Sequence, residues 1–215
     1  TSYAFNVYAN YEFNLKQKHN FNIMLGANAE GEEFYWHRSK KMGLLNPNQP
    51  EFGLANGTQT VDGRHVHSAT AGYFGRINYN WNEIWLLELN GRFDGSSSFP
   101  SKDRWAFFPS ASVGYRFSQE GYFDKLRNII NNGKLRASLG EIGNEAVGED
   151  MFISTISTVD NRYWLDSEGN LMTMYNVPSL VSSSLTWERI RTLDLGIDLG
   201  FLNNELNVSF DWYQR

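Results

Sequence analysis

Apolar and polar side chains alternate with a period of two residues along most of this 215-residue chain. Between residues 3 and 13 every odd position is aromatic or aliphatic, and the even positions include Asn6, Asn10 and Glu12. A period of two is typical of a β-strand with one apolar face. The pattern recurs in seven further stretches, namely 21–27, 73–81, 85–93, 105–117, 135–139, 193–201 and 206–212. The sequence therefore predicts eight strands and an all-β, antiparallel fold.

The connections between these stretches alternate between short and long. Residues 16–18, 82–83 and 202–205 form short connections. The long connections are 30–68, 95–104 and 143–185, which are rich in Gly, Asn, Ser and charge. The apolar parity changes from odd to even across Asn203 and Asn204, which predicts a tight hairpin. The link after Phe117 differs, because residues 122–130 have the apolar spacing of a short amphipathic helix.

Strand length and the positions of aromatic residues indicate whether the apolar face contacts lipid or a protein core. Five stretches reach at least nine residues, whereas soluble strands average about 5 to 6 and membrane-spanning strands need about 9 to 11. Aromatic residues, 15% of the chain, concentrate at the strand ends, as in the interfacial girdles of outer-membrane barrels. The pattern favours a transmembrane β-barrel, and a soluble β-sandwich remains the alternative because it alternates in the same way.

Composition excludes several functional classes. The chain contains no cysteine, so it has no disulfide, thiolate metal cluster or cysteine nucleophile. Its net charge of −5 argues against a nucleic-acid-binding surface. No run approaches the roughly 18 apolar residues of a membrane helix. No motif predicts a cofactor.

Several motifs occur together in one order. They are 73–79 (YFGRINY), 92–99 (RFDGSSSF), 104–116 (RWAFFPSASVGYR), 134–140 (KLRASLG) with Gly143 and Asn144, 185–188 (LTWE) and 195–204 (LGIDLGFLNN). Together they resemble the barrel signature of SusC/RagA-type TonB-dependent outer-membrane transporters. The resemblance covers residues 73–215 well and residues 1–72 only loosely.

This resemblance implies both an architecture and a function. Residues 1–215 would be a segment of about eight strands in a barrel of about 22, with long extracellular loops and short periplasmic turns. We expect no plug domain, TonB-contacting segment or signal peptide in this chain. The whole protein would be a non-enzymatic importer in the bacterial outer membrane. It would take up a glycan or oligopeptide with a SusD-like surface lipoprotein, coupled to the TonB complex through parts absent here.

Two other functions remain open on the residues alone. Eight strands can close by themselves, so the chain could be a complete small barrel that acts as an anchor or adhesin. In that case the strand of Trp212 would pair with the strand of Tyr3. A soluble β-sandwich that binds carbohydrate through surface aromatics is the second alternative.

Two sets of residues are candidates for contact with solute or partners. On the polar face, charged side chains would point into the barrel lumen and form a hydrogen-bonded ladder across strands or against a plug; they are Arg76, Glu88, Arg92, Arg116, Lys134, Arg136, Asp194 and Asp198. In the long loops, aromatic side chains could contact substrate or a partner protein; they are Phe34, Tyr35, Trp36, Tyr163 and Trp164.

Other candidate sites have simpler explanations. His65 and His67 could share a metal in an extended segment, but without a third ligand we interpret them as the solvated end of a loop. Residues 94–96 read as a turn in which Gly95 takes a positive φ. Nothing fixes a separation between any two carboxylates, so no glycosidase pair is assigned.

Overall fold

A single antiparallel sheet of eight strands makes up most of the molecule. The computed structural model describes residues 1–147, 151–156, 158–165, 167–169, 171–178, 180–182 and 184–215, with only the backbone described at 158–164 and 171–174. The strand order is β1-β2-β3-β4-β5-β6-β9-β10, and β7 and β8 form a separate hairpin. The strands are β1 (Ser2–Leu15), β2 (His19–Lys41), β3 (Gln59–Trp81), β4 (Trp85–Ser96), β5 (Trp105–Tyr115), β6 (Ile130–Asn144), β7 (Thr158–Leu165), β8 (Leu171–Tyr175), β9 (Glu188–Phe201) and β10 (Leu206–Gln214).

All eight predicted strands are present, which confirms the all-β fold. The only regular helices in the described residues are three short 3-10 segments, at Phe52–Leu54, Phe117–Gln119 and Gly121–Phe123. None of these is long or apolar enough to cross a membrane. The prediction of an amphipathic helix at 122–130 was wrong, because this segment folds as successive single turns.

The predicted long loop at 30–68 is mostly strand, so that prediction was also wrong. The β2–β3 ladder continues without a break from His19 opposite Trp81 to Lys41 opposite Gln59. Residues 42–58 alone form the loop. Beyond the apolar part of the sheet, apolar and polar residues no longer alternate between the two faces. Backbone pairing can therefore continue there without an alternating sequence.

The short and long connections lie at opposite ends of the strands, as predicted. The short turns place consecutive residues in the left-handed region, with φ of 52° and 58° at Lys16 and Gln17 and of 52° and 59° at Asn82 and Glu83. The predicted hairpin at Asn203 and Asn204 is confirmed, with φ of 56° and 67°. Such turns match the twist of antiparallel strands. We call the two ends of the sheet the short-turn end and the long-loop end.

The sheet is one layer thick, and its apolar face is the more exposed one. Along β4 and β5 the odd, apolar positions are mostly exposed, while the even positions other than Arg92 are half-buried or buried. Phe5 and Val7 are each 68% exposed. The few buried apolar residues of the described chain are Ala55, Val66, Phe99, Ala106, Phe108 and Phe123. This inversion does not fit the alternative of a soluble sandwich, whose core lies between two sheets.

The sheet is open. Among the described residues β1 pairs only with β2, and β10 pairs only with β9. Trp212 lies opposite Leu195 on β9, and Tyr3 lies opposite Gly31 on β2. The alternative of a complete eight-stranded barrel required those two strands to pair with each other, and they do not.

Aromatic side chains border the apolar face at both ends. The short-turn belt consists of Phe13, Phe21, Tyr79, Trp81, Trp85, Tyr115 and Phe201. Within it the rings of Phe13 and Phe21 stack at 4.9 Å, and those of Trp85 and Tyr115 at 4.4 Å. The long-loop belt consists of Tyr73, Phe93, Trp105 and Phe107, with Phe93 and Trp105 stacked at 5.1 Å. Trp85 and Phe93 are separated by about 27 Å of strand.

Candidate functional site

The polar face of the sheet brings the predicted lumen residues together. Arg76 lies opposite Asn90, Glu88 opposite Asn78, and Asp194 opposite Ser138. The registers of successive strand pairs keep these positions on one face, because side chains alternate between faces with a period of two.

Arg92 is the centre of one group on this face. Its guanidinium donates to both carboxylate oxygens of Asp94, at 2.9 and 3.1 Å, and to the amide oxygen of Asn28 at 3.4 Å. The cation also lies 5.5 Å from the centroid of the Phe74 ring. These contacts join β2, β3 and β4, because a fork-shaped guanidinium can donate in several directions at once.

Arg136 is the centre of a second group, which joins β6, β9 and β10. Its Nε and Nη2 donate to the two oxygens of Asp198 at 2.8 and 3.0 Å, and Nη2 also donates to Asp211 at 2.8 Å. The Ser209 hydroxyl donates to Asp198 at 2.9 Å. Gly196 lies beneath this group, where a Cβ would meet the Arg136 guanidinium and Asp211. The group is therefore a hydrogen-bonded ladder across three strands, and Asp211 is a member that the sequence did not single out.

Side-chain amides of asparagine residues link further polar positions on this face. Arg76 Nε donates to Asn90 Oδ1 at 2.8 Å, and Asn90 Nδ2 donates to Glu88 Oε1 at 2.8 Å. On β1 and β2, Asn22 donates to Glu12. Arg116 differs from the others because it follows the end of β5 and lies 3.8 Å from Glu83 of a short turn. It ties two connections together at the short-turn end.

A concavity with a volume of about 860 Å³ lies on the polar face near the short-turn end. Polar side chains from β1 to β6 and from β9 line most of it; they are Glu12, Asn14, Asn20, Asn22, Asn78, Asn80, Glu88, Ser112, Lys134, Arg136, Ser138 and Asp194. Amides and hydroxyls both donate and accept hydrogen bonds. The surface can therefore bind a polar solute or a polar protein segment without strong charge selectivity.

The predicted loop aromatics lie on strands. Phe34, Tyr35 and Trp36 belong to β2, opposite Val66, His65 and Arg64 respectively. Phe34 and Trp36 line a concavity of about 260 Å³ on the same face, whereas Tyr35 points to the other face. Tyr163 and Trp164 lie on β7, and their side chains are outside the described residues.

The two histidines lie on β3, so their interpretation as a loop end was wrong. His65 Nε2 lies 2.8 Å from Glu33 Oε1, and the Tyr35 ring meets the His65 ring edge-on at 6.0 Å. In the described part of the chain no three His, Asp or Glu side chains are placed to share a metal ion.

Gly95 is extended, so the predicted turn with a positive φ was wrong. Glycines with positive φ in the described residues are Gly43 and Gly169. Gly95 instead lies opposite Trp105, whose ring would be 2.6 Å from an added Cβ. Asp94 pairs with Arg92 and caps no turn.

A cluster at the long-loop end was not predicted. Trp187 packs against Phe99 at 5.2 Å and Phe108 at 5.5 Å, and its Nε1 donates to the Arg104 carbonyl at 2.9 Å. Phe99 has no exposed surface. The motifs that contain these residues were visible in the sequence, but their contact was not.

An ion-pair group lies beside this cluster. Glu141 accepts from Arg189 at 3.0 Å and from Arg191 at 2.5 Å, and Arg189 also donates to the Phe107 carbonyl at 3.1 Å. Charges at these positions mark the end of the apolar face on β6 and β9.

Comparison with known proteins identifies the family. The family described as TonB dependent receptor-like, beta-barrel, matches residues 1–215. The chain belongs to this family. The receptor is of the SusC/RagA type, since it is 30% identical to the TonB-dependent receptor SusC of Bacteroides thetaiotaomicron over 220 residues, covering 99% of this chain and 21% of that protein. The TonB-dependent receptor P3 of Formosa agariphila is 32% identical over 140 residues, covering 65% of this chain and 14% of that protein.

The fold is shared with a solved transporter. The structure of the RagAB peptide transporter superposes with a TM-score of 0.87 at 22% identity, covering 99% of this chain and 23% of that chain. A second structure, of the RagAB peptide importer in a closed-closed state, gives the same score at 21% identity. The receptor segment therefore spans about a fifth of the relatives it matches, and it forms part of a larger barrel.

Proposed function

We propose that the receptor segment is an arc of barrel wall in an outer-membrane transporter. One observation carries this proposal: the exposed face of the sheet is apolar and bordered by aromatic belts, while the hydrogen-bonded polar groups share the other face. Lipid requires the first arrangement, and a water-filled or plugged lumen requires the second. The segment would contribute structure and a polar inner surface, without catalysis.

The polar face would line the path of a large nutrient, a glycan or an oligopeptide. Support comes from the amide-rich concavity near the short-turn end and from the lack of a strong single-sign charge there. We expect Arg76, Glu88, Arg92, Arg136, Asp194 and Asp198 to face this lumen, most of them as members of the strand-spanning ladder. Movement of solute would depend on the TonB complex and on parts of the protein outside residues 1–215.

The long-loop end would face the cell exterior and a SusD-like lipoprotein. The β2–β3 extension reaches well past the long-loop belt and carries Phe34, Tyr35 and Trp36. Phe34 is 53% exposed and Tyr35 is 66% exposed. Because the two side chains point to opposite faces, we expect Phe34 and Trp36 to contact solute and Tyr35 to contact the partner.

Nutrient uptake by the full-length receptor tests the proposal. Cells that carry the receptor and its lipoprotein should accumulate a labelled oligosaccharide or oligopeptide, and accumulation should stop when TonB is inactivated. Tyr35→Ala should reduce co-purification of the lipoprotein, whereas Trp36→Ala should reduce uptake with the complex intact. Uptake that persists without TonB would contradict the transport proposal. A receptor that is purified in buffer without detergent would contradict the membrane location.

A further inference from the structure

One connection at the short-turn end is unusually long and carries exposed apolar residues. The other short-end connections are residues 16–18, 82–84 and 202–205, whereas residues 116–129 join β5 to β6. Within this segment Tyr122 is 69% exposed, Leu126 48% and Ile129 63%. All three side chains lie at the surface of a run of successive turns.

The segment is folded and fixed to the sheet. Phe123 is buried against Phe117 at 5.1 Å, and the Phe117 ring covers Gly133 of β6. The Arg127 guanidinium donates to the Ser118 carbonyl at 2.9 Å. The Asn131 amide donates to the Arg127 carbonyl at 2.9 Å. The apolar side chains are therefore held in place at the surface by a packed interior.

A hydrogen bond joins the segment to the lipid-facing side of the sheet. The Tyr122 hydroxyl lies 2.8 Å from the Tyr115 hydroxyl. Tyr115 belongs to the short-turn belt and stacks on Trp85. Tyr122 thus extends the apolar face from the belt, and Leu126 and Ile129 follow it as exposed residues of the same segment.

We propose that residues 117–129 form an interfacial foot, a membrane-contacting segment that lies on the leaflet at the short-turn end with Tyr122, Leu126 and Ile129 inserted. The occupant of this surface is the phospholipid leaflet, because the surface is continuous with the lipid-facing belt. Lys125 lies between the inserted residues and suits the headgroup phosphates, whereas Arg127 is paired with Asp124 at 3.0 Å within the segment. The inference rests on the proposed function, since it requires the apolar face to contact lipid.

Spin-label accessibility in the full-length receptor, reconstituted in phosphatidylethanolamine and phosphatidylglycerol bilayers, tests the foot. Any cysteine elsewhere is first replaced, and single cysteines are introduced by Leu126→Cys or Ile129→Cys, with Leu89→Cys and Gln17→Cys as references. Residues 1–215 contribute no background cysteine. Oxygen partitions into lipid and a nickel chelate into water. The oxygen-to-nickel ratio at 126 and 129 should be several-fold above that at 17 and below that at 89.

The measured ratios distinguish contact of the segment with lipid from exposure to water and from cover by protein. A ratio at 126 and 129 equal to that at 17 would place the segment in water and overturn the proposal. Low collision rates with both reagents would mean that protein covers the segment, which also overturns it. A low ratio at 89 would instead contradict the lipid-facing assignment and the proposed function with it. Lys125→Cys, on the same segment, should give a lower ratio than 126 and 129.

Discussion

The indole Nε1 of Trp187 donates a hydrogen bond of 2.9 Å to the carbonyl oxygen of Arg104, which lies 83 residues earlier in the chain. The same ring packs on Phe99 and Phe108, and Thr186 Oγ1 donates to the Asp103 carbonyl at 3.1 Å. Two segments of the long-loop end are thereby fastened together. At its start the loop 97–104 is held by Ser97, which exchanges hydrogen bonds with Ala69, and at its end by the contact with Trp187.

We therefore expect Trp187→Ala to loosen the loop at 97–104. Loss of a large packed ring and a hydrogen bond should cost about 3 to 5 kcal/mol at this position. Trypsin added to intact cells should then cleave after Lys102 and Arg104 much faster than in the native receptor. Trp187→Phe, which keeps the ring packing, should be intermediate, and Phe52→Ala in the other long loop should leave the rate unchanged. Equal cleavage rates for all variants would contradict the role of Trp187.

The ladder around Arg136 should behave as one unit. Arg136→Met and Asp198→Asn should each lower the free energy of unfolding by about 1 kcal/mol, since both side chains are about a third exposed. The double variant should lose less than the sum of the two losses. Urea titration of the full-length receptor in bilayers measures this coupling. The pair Glu83 and Arg116, at 3.8 Å, is the control and should show almost none.

Adjacent residues on opposite faces of β5 should tolerate charge differently. Ala111 lies opposite Leu89 on the apolar face, and Ser112 lies opposite Glu88 on the polar face. Ala111→Arg should destabilise the receptor by about 2 to 4 kcal/mol, because the cation would enter the hydrocarbon. Ser112→Arg should cost less than about 1 kcal/mol. The measurement is the fraction folded in bilayers as a function of urea. A larger effect at 112 than at 111 would reverse the assignment of the two faces.

Gly95 should not accept a side chain. Its backbone is extended, so an effect of Gly95→Ala is steric and comes from the Trp105 ring. We expect a loss of about 1 to 3 kcal/mol, read as a lower melting temperature of the heat-modifiable band on gels. Gly53→Ala, where an added Cβ meets nothing within 4 Å, should change stability by less than about 0.5 kcal/mol. Trp105→Leu combined with Gly95→Ala should restore part of the loss.

The strands could be predicted because alternate residues of each strand lie on an apolar face and on a polar face. The parity change at Asn203 even fixed the hairpin between β9 and β10. The same reasoning failed on β2 beyond Glu32, where Glu33, Phe34 and Tyr35 show no alternation although they remain paired to β3. There the backbone ladder continues the strand, and a backbone ladder leaves no alternating pattern in the sequence.

The sequence predicted on which face of the sheet the residues of the candidate site lie, but not which of them contact each other. The parity of Arg136 and Asp198 placed them on the polar side, and the structure joins them. The register that brings Asp211 to the same guanidinium depends on the length of the hairpin turn. Contacts such as that of Trp187 with Arg104 depend on how long loops close, and side-chain alternation carries no information about loop closure.

The short-turn belt also contains a measure of how the strands lean. Starting from Phe13, the residues directly opposite one another on successive strands are Phe21, Tyr79, Leu87, Val113, Ala137 and Leu195. The belt residue on β9 is Phe201, six positions beyond Leu195 and six strands from β1. The level of the belt therefore shifts by one residue per strand. An offset of about 3.3 Å over a strand spacing of about 4.8 Å gives a tilt of about 35°, so the aromatic residues alone encode the inclination of this wall.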